Sequence, residues 1–365
     1  MPKPYLGLLA LFVTSVMAFA GPVEDNIAAI KSVPPRGEQN VAAAKAASWL
    51  SQSATADDLV PILAAMNNAD PLAANWLRGA FESVTARTIS DQKFPADQIE
   101  AFAKDTSNTP RVRRLAYEWL IKVDESAPKR FDLLNDPSPE MRRDAVAALI
   151  EQAEQADEDA SRVIWQKAIV AAVDEDQVDT ISKALKKLEI PFNYVDHFGL
   201  VVDWHVIGPF DNHEMKGFPV PYPPEKEVRL DATYEGQKGP VKWEPFHSEE
   251  SDGAFDLAKL TEPHKGAVDY IYTEFNAGGA QDVEFRLGTA NAWKLWVNDE
   301  LVFAREEYHR GMRFDQYIVP GKLKAGKNTI LIKVCQNEQD QDWAQRWAVQ
   351  FRICNTEGRA VHPVE

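Results

Sequence analysis

Positive charge, cysteine and long apolar runs are all scarce in this chain. Forty Lys and Arg residues stand against 56 Asp and Glu, for a formal net charge of -16. Such a surface repels phosphate backbones, and no basic patch interleaved with aromatics offsets it, so nucleic acid is excluded as the expected partner. Beyond residue 20 no segment is apolar for long enough to cross a bilayer, which argues against membrane insertion. Only two cysteines occur, Cys335 and Cys354, and neither has a C-x-x-C or metal spacing. The seven histidines are scattered without ligand spacing. His213-Glu214 begins an H-E-x-x-H zinc motif, but Gly217 stands where the second His belongs. A G-x-S-x-G elbow, a phosphate-cradling Gly-rich loop and a dinucleotide fingerprint are also missing. Paired carboxylates hydrolyse glycosides, yet 56 acidic residues nominate every pair and therefore none. The sequence gives no reason to expect a catalytic residue or a cofactor.

The first twenty residues read as a leader. Lys3 supplies a short positive region, Leu6–Phe19 is apolar, and Ala18-Phe19-Ala20 gives the small-x-small pattern of a secretory cleavage site before Gly21. No Cys stands at the cut, so no lipid anchor is expected. Residues 1–20 are therefore expected to be a signal peptide, and the mature chain to be soluble and exported, periplasmic or extracellular.

Residues 21–190 read as helical. In Pro110–Val123, the residues Val112, Leu115, Ala116, Trp119, Leu120 and Val123 fall on one helical face. Pro139–Ala153 obeys the same logic. Thr109-Pro110 and Ser138-Pro139 each put a capping hydroxyl before a Pro at the first helical position. The two starts share an apolar residue, an Arg pair and an Ala at equal offsets, 29 residues apart. Asp136-Pro137-Ser138-Pro139-Glu140-Met141-Arg142 resembles the start of the second helix of a HEAT-type repeat, although that family's repeat is usually about 40 residues. The resemblance implies stacked helix pairs and a surface for a protein partner; with few repeats, a small helical spacer is the alternative. Arg113 and Arg142 are expected to bond an acid or carbonyl of a neighbouring repeat, with ligand contact as the alternative. Trp49, Trp76, Trp119 and Trp165 are expected to fill gaps between helices.

Composition shifts near Ile190-Pro191, and residues 191–365 read as antiparallel strands separated by turns. Asn298-Asp299 lies between two strand-like runs and predicts a hairpin turn. Thr329–Gln336 and Arg346–Cys354 fit one hairpin register, with Val334 opposite Val349, Ile332 opposite Phe351 and Ile330 opposite Ile353. In that register Cys335 faces Ala348, leaving Cys354 about 20 Å away at strand rise. A disulfide needs Cα atoms within roughly 7 Å, so two free thiols are expected. Alternation assigns Trp293 to the core, with Leu295 and Val297, and makes Trp296 a candidate surface platform.

Three loops are candidate ligand sites. Tyr308-His309-Arg310-Gly311-Met312-Arg313 combines aromatic faces with Arg donors, which suits sugar hydroxyls or a carboxylate. Packing by Tyr308 and Arg ion pairs is the competing explanation. The run from Asn337 to Trp343 offers oxygen ligands beside a Trp. That suits a sugar ring, or a structural calcium through Glu338, Asp340 and Asp342. A solvated hairpin tip is the alternative, since the spacing of a calcium loop is missing. His213–Tyr222 leads into Pro-rich sequence and is expected to cover the sandwich edge.

Trp204-His205-Val206-Ile207-Gly208-Pro209-Phe210, the Trp293–Asn298 hairpin and the Gly326–Val334 strand together resemble a galactose-binding-domain-like β-sandwich over residues 200–355. Jelly rolls attached to many glycoside hydrolases carry a similar signature. The whole chain then looks like an α-helical repeat array followed by a β-sandwich in an exported bacterial family. That resemblance implies no activity; the expected function is a non-catalytic binding or scaffold protein, with protein contacts on the helices and carbohydrate or another macromolecule on the sandwich. A glycan-active enzyme and a purely structural unit are the alternatives. Mass spectrometry of the secreted form is expected to find Gly21 as the first residue; an intact Met1 in that fraction refutes the leader.

Overall fold

The computed structural model describes residues 21–34, 36–261 and 265–364, so the expected leader at 1–20 lies outside the described residues. Helices occupy the N-terminal half and antiparallel sheets the C-terminal half. The chain divides into two compact units, one ending at Asp136 and the other covering Pro137–Glu365. The composition shift near residue 190 therefore falls inside the second unit. No described helix is long and apolar enough to cross a membrane.

The first unit contains α1 (Pro22–Lys31), α2 (Asn40–Ser53), α3 (Leu59–Met66), α4 (Pro71–Ser90), α5 (Ala96–Lys104) and α6 (Pro110–Val123). In α6 the apolar stripe turns Val112, Leu115, Ala116 and Leu120 into the interior. Arg113 is also buried there. It donates to both Asp136 carboxylate oxygens and to the Ala103 carbonyl. The expected Thr109 cap does not form. The Thr109 hydroxyl bonds Asn67 Oδ1 instead, because that amide also takes the Thr109 N–H.

The second unit begins with α7 (Pro139–Gln155), α8 (Glu158–Ala171), α9 (Glu175–Lys187) and α10 (Tyr194–Phe198). Here the Ser138 hydroxyl does cap, accepting from the Met141 N–H. Arg142 reaches forward to the Glu357 carbonyl. The strands come next as β1 (Asp203–Asp211), β2 (Thr233–Gly236), β3 (Gly239–Lys242), β4 (Glu244–His247) and β5 (Phe255–Asp256). After α11 (Leu257–Leu260) come β6 (Ala267–Ala277), β7 (Gln281–Thr289), β8 (Ala292–Val297) and β9 (Glu300–Arg305). Last are β10 (Tyr317–Leu323), β11 (Gly326–Gln336) and β12 (Ala348–Cys354). A six-stranded sheet ordered β4-β1-β6-β11-β8-β9 packs on a four-stranded sheet ordered β10-β7-β12-β5. Asn298 and Asp299 both have positive φ, as a primed two-residue hairpin requires, and join β8 to β9.

The expected β11–β12 hairpin is not formed. β11 bonds β6 and β8, whereas β12 bonds β5 and β7. Residues 337–347 carry the chain from one sheet to the other. Ile330, Ile332 and Val334 still share one core with Val349, Phe351 and Ile353, but across the gap between sheets. Alternation reports the buried face and does not distinguish a bonded neighbour from an opposing layer. Cys335 and Cys354 are free and buried, and they belong to different sheets. Trp293 lies in the core beside Phe303, as its alternation predicts.

The outer face of the four-stranded sheet is closed by charge. Buried Arg352 donates to both Asp315 oxygens and to the Phe198 and Gly358 carbonyls, with its guanidinium over the Phe198 and Phe314 rings. Arg286 shares the same Asp315 at 2.6 Å. Removing that carboxylate leaves the buried Arg352 guanidinium without an acid, whereas Arg286 keeps Glu284. Asp315→Ala is expected to lower the unfolding free energy by about 3–5 kcal/mol in denaturant titration. A loss below about 1 kcal/mol contradicts this assignment.

Candidate functional site

Three connections meet at one end of the sandwich: 212–217 after β1, 306–316 between β9 and β10, and 337–347 between β11 and β12. Asn212 joins them from a fully buried position. Its N–H donates to the Gly266 carbonyl at 2.7 Å. Its Nδ2 donates to the Gln336 carbonyl at 2.9 Å and to the Tyr308 Oη at 3.3 Å, and its Oδ1 accepts from the Gly217 N–H at 2.9 Å. Gly217 is required here, because a Cβ would lie 2.2 Å from the Asp211 carbonyl oxygen. That explains the broken zinc motif: position 217 is a close approach of backbone, and Glu214 and Met215 have left-handed φ instead of helical geometry.

Asn337 is the second hub and is also buried. Its carbonyl accepts from Gly266, and its Oδ1 accepts from the Gln339 N–H at 3.1 Å. The same Oδ1 lies 2.7 Å from His309 Nε2. An amide oxygen only accepts, so His309 donates from Nε2. The His309 ring meets Trp343 edge-on, with centroids 5.1 Å apart. Trp343 is 63% exposed, on a short 3-10 turn held by Lys265 Nζ donating to the Ala344 carbonyl at 3.0 Å. Gln336 Nε2 donates to the same carbonyl.

The structure thus brings Tyr308, His309, Asn337 and Trp343 into one linked cluster. Tyr308 is half-buried, and burial holds its phenol above the usual range. Arg310 anchors the rim through its N–H to the Ala290 carbonyl, while its exposed guanidinium reaches Glu307 at 3.4 Å. Arg313 stands apart. Its described contacts are to Gln316 and to the backbone at Gly288, and none joins it to His309 or Trp343. Glu338 accepts from the Glu214 N–H and lies 3.3 Å from His213 Nδ1. Asp340 and Asp342 are exposed. Among the described residues, no three His, Cys, Asp or Glu side chains gather closely enough to hold a metal ion.

Trp296 is not a surface platform. It is 9% exposed and packs with Trp243, Tyr272 and Leu331 on the outer face of the six-stranded sheet. The segment between β1 and β4 covers that face. Lys333, itself fully buried, pins the cover by donating to the Phe218 and Val220 carbonyls and to Glu225 at 2.8 Å. Asn212 and Lys265 escape sequence reading. Each holds partners more than fifty residues away in sequence, and the only local clue is an Asn just after a strand with Gly five positions on.

No family model matches the chain, and no curated protein matches it. Similar solved structures include a family 35 carbohydrate binding module from an environmental isolate, at 20% identity and TM-score 0.20, covering 28% of this chain and 74% of that one. An anti-sigma factor domain-containing protein shares 11% identity at TM-score 0.24, over 47% of this chain and 50% of that one. A Faecalibacterium prausnitzii Beta-glucuronidase shares 11% identity at TM-score 0.23, over 38% of this chain and 21% of that one. Similarity at this level carries no functional conclusion.

Asn212→Ala leaves the Gln336 carbonyl and the Gly217 N–H without a partner. The expected cost is about 1–3 kcal/mol of stability. Faster amide exchange is expected at residues 217, 308–310 and 337–345 together. Exchange unchanged at 337–345 removes Asn212 from its role as the link.

Proposed function

We propose that this chain is an exported, non-catalytic binding protein whose sandwich takes carbohydrate at the loop end described above. The observation that carries the reading is Trp343. A large apolar ring is left 63% exposed while its surroundings are fixed by His309, Asn337 and Lys265. Exposing an indole normally sacrifices favourable burial. An ordered turn that nonetheless presents one suits stacking on the C–H face of a sugar ring, with polar groups at the rim to orient its hydroxyls. His309 supplies a polar ring edge, Arg310 donors, and Asp340 and Asp342 acceptors at that rim. The helical unit is the proposed seat of a protein partner, for which the exposed Val41 of α2 is a starting point.

The test is a glycan array with the intact mature chain, then titration of the best hit. Trp343→Ala is expected to weaken binding by at least about tenfold without altering the melting temperature, since the ring is mostly outside the core. A blank array, or a hit indifferent to Trp343→Ala, removes carbohydrate from this site. Hydrolysis of a glycoside panel, abolished by one carboxylate substitution, favours an enzyme instead.

A further inference from the structure

Beside the Trp343 turn, starting at Asp342, lies a groove of about 590 Å³ between residues 250–259 and residues 342–346. Its charged lining is Glu250, Asp252, Asp256, Lys259, Asp342 and Arg346. Most of these groups are uncommitted. Asp256 is satisfied by the Ala258 and Trp347 N–H groups, and Asp252 accepts from the Ala254 N–H. Lys259, Arg346, Glu250 and Asp342 are exposed, and their side chains have no hydrogen-bond or ion-pair partner among the described residues. The floor is rigid, because β5 bonds β12 at Phe255↔Val349 and Leu257 donates its N–H to the Trp347 carbonyl.

Free donors and free acceptors among the groove's lining groups match a ligand whose groups both donate and accept, as sugar hydroxyls do. Four carboxylates against two cations disfavour an anionic chain. The formal charge of -16 adds to that repulsion. The volume lies within the usual range of ligand pockets and exceeds what one pyranose ring fills. We infer that the ligand is a neutral oligosaccharide, with one ring on Trp343 and the next rings running along this groove. The inference rests on the loop-end reading and adds the ligand's length and charge class. Linked rings convert later contacts into intramolecular ones, so affinity rises with chain length until the groove is filled.

The experiment titrates the intact mature chain with gluco-, xylo-, manno- and galacto-oligosaccharides of one to six units, and with oligouronates of equal length. Expected is a gain of about tenfold or more from one unit to four in a neutral series. The double substitution Lys259→Ala/Arg346→Ala is expected to abolish that gain while leaving monosaccharide affinity unchanged, which also reports an intact fold. Trp343→Ala weakens every length. Equal affinity for all lengths, still sensitive to Trp343→Ala, overturns the groove and leaves the loop-end reading standing. A length gain that survives the double substitution does the same. Tighter binding of oligouronates overturns the neutral class. Binding of no neutral sugar at any length overturns both readings.

Discussion

The six-stranded sheet has two apolar faces, and the second unit is organised around covering both. The inner faces of β6 and β11 meet the smaller sheet, while their outer faces carry Val268, Tyr270, Tyr272, Leu331 and Cys335, which water would otherwise reach. A sheet apolar on both sides needs a third layer. The long connection between β1 and β4 supplies it. Covering an apolar face with irregular chain leaves main-chain carbonyls in dry surroundings, and Lys333 meets two of them from inside the sheet. The entrance to that connection is Asn212. The polar hub of the candidate site is therefore the first residue of the cover, and the site inherits its rigidity from the need to hide the sheet.

Legibility in the sequence divides along contact range. Helix starts, the β8–β9 hairpin and the alternation of core residues depend on a few consecutive positions, and their signals survive in one dimension. Trp293 falls in the core by alternation alone. Trp296 does not fall on the surface, because what covers it comes from residues 218–243, and no local pattern announces a cover. Strand partners are equally non-local. The residues of β11 and β12 match as opposing layers as well as they match as a hairpin, so periodicity cannot separate the two. The candidate site shows the same division. Tyr308, His309, Asn337 and Trp343 stand out by residue type in two loops; their meeting is set by Asn212, and the isolation of Arg313 is set by the backbone at Gly288.

The arginines of the helical half give a parallel lesson. Arg113 and Arg142 occupy the same place in matching helix starts, and both are buried. One finds Asp136 and a carbonyl within its own unit, while the other finds the Glu357 carbonyl far along the chain. The motif encodes a helix that offers a guanidinium to later chain. That later chain differs, because α6 is succeeded by short helical turns and α7 by helices that lead into a sandwich.

The placement of the thiols has a chemical consequence. Burial pushes Cys335 up to about 12 and Cys354 to about 11, so the thiolate that reacts with oxidants or disulfides is almost absent near neutrality. The fold needs no oxidant to close it, and its cysteines offer no handle by which glutathione or an isomerase can reshuffle it. No disulfide joins the two sheets, because the two sulfur atoms lie in separate layers.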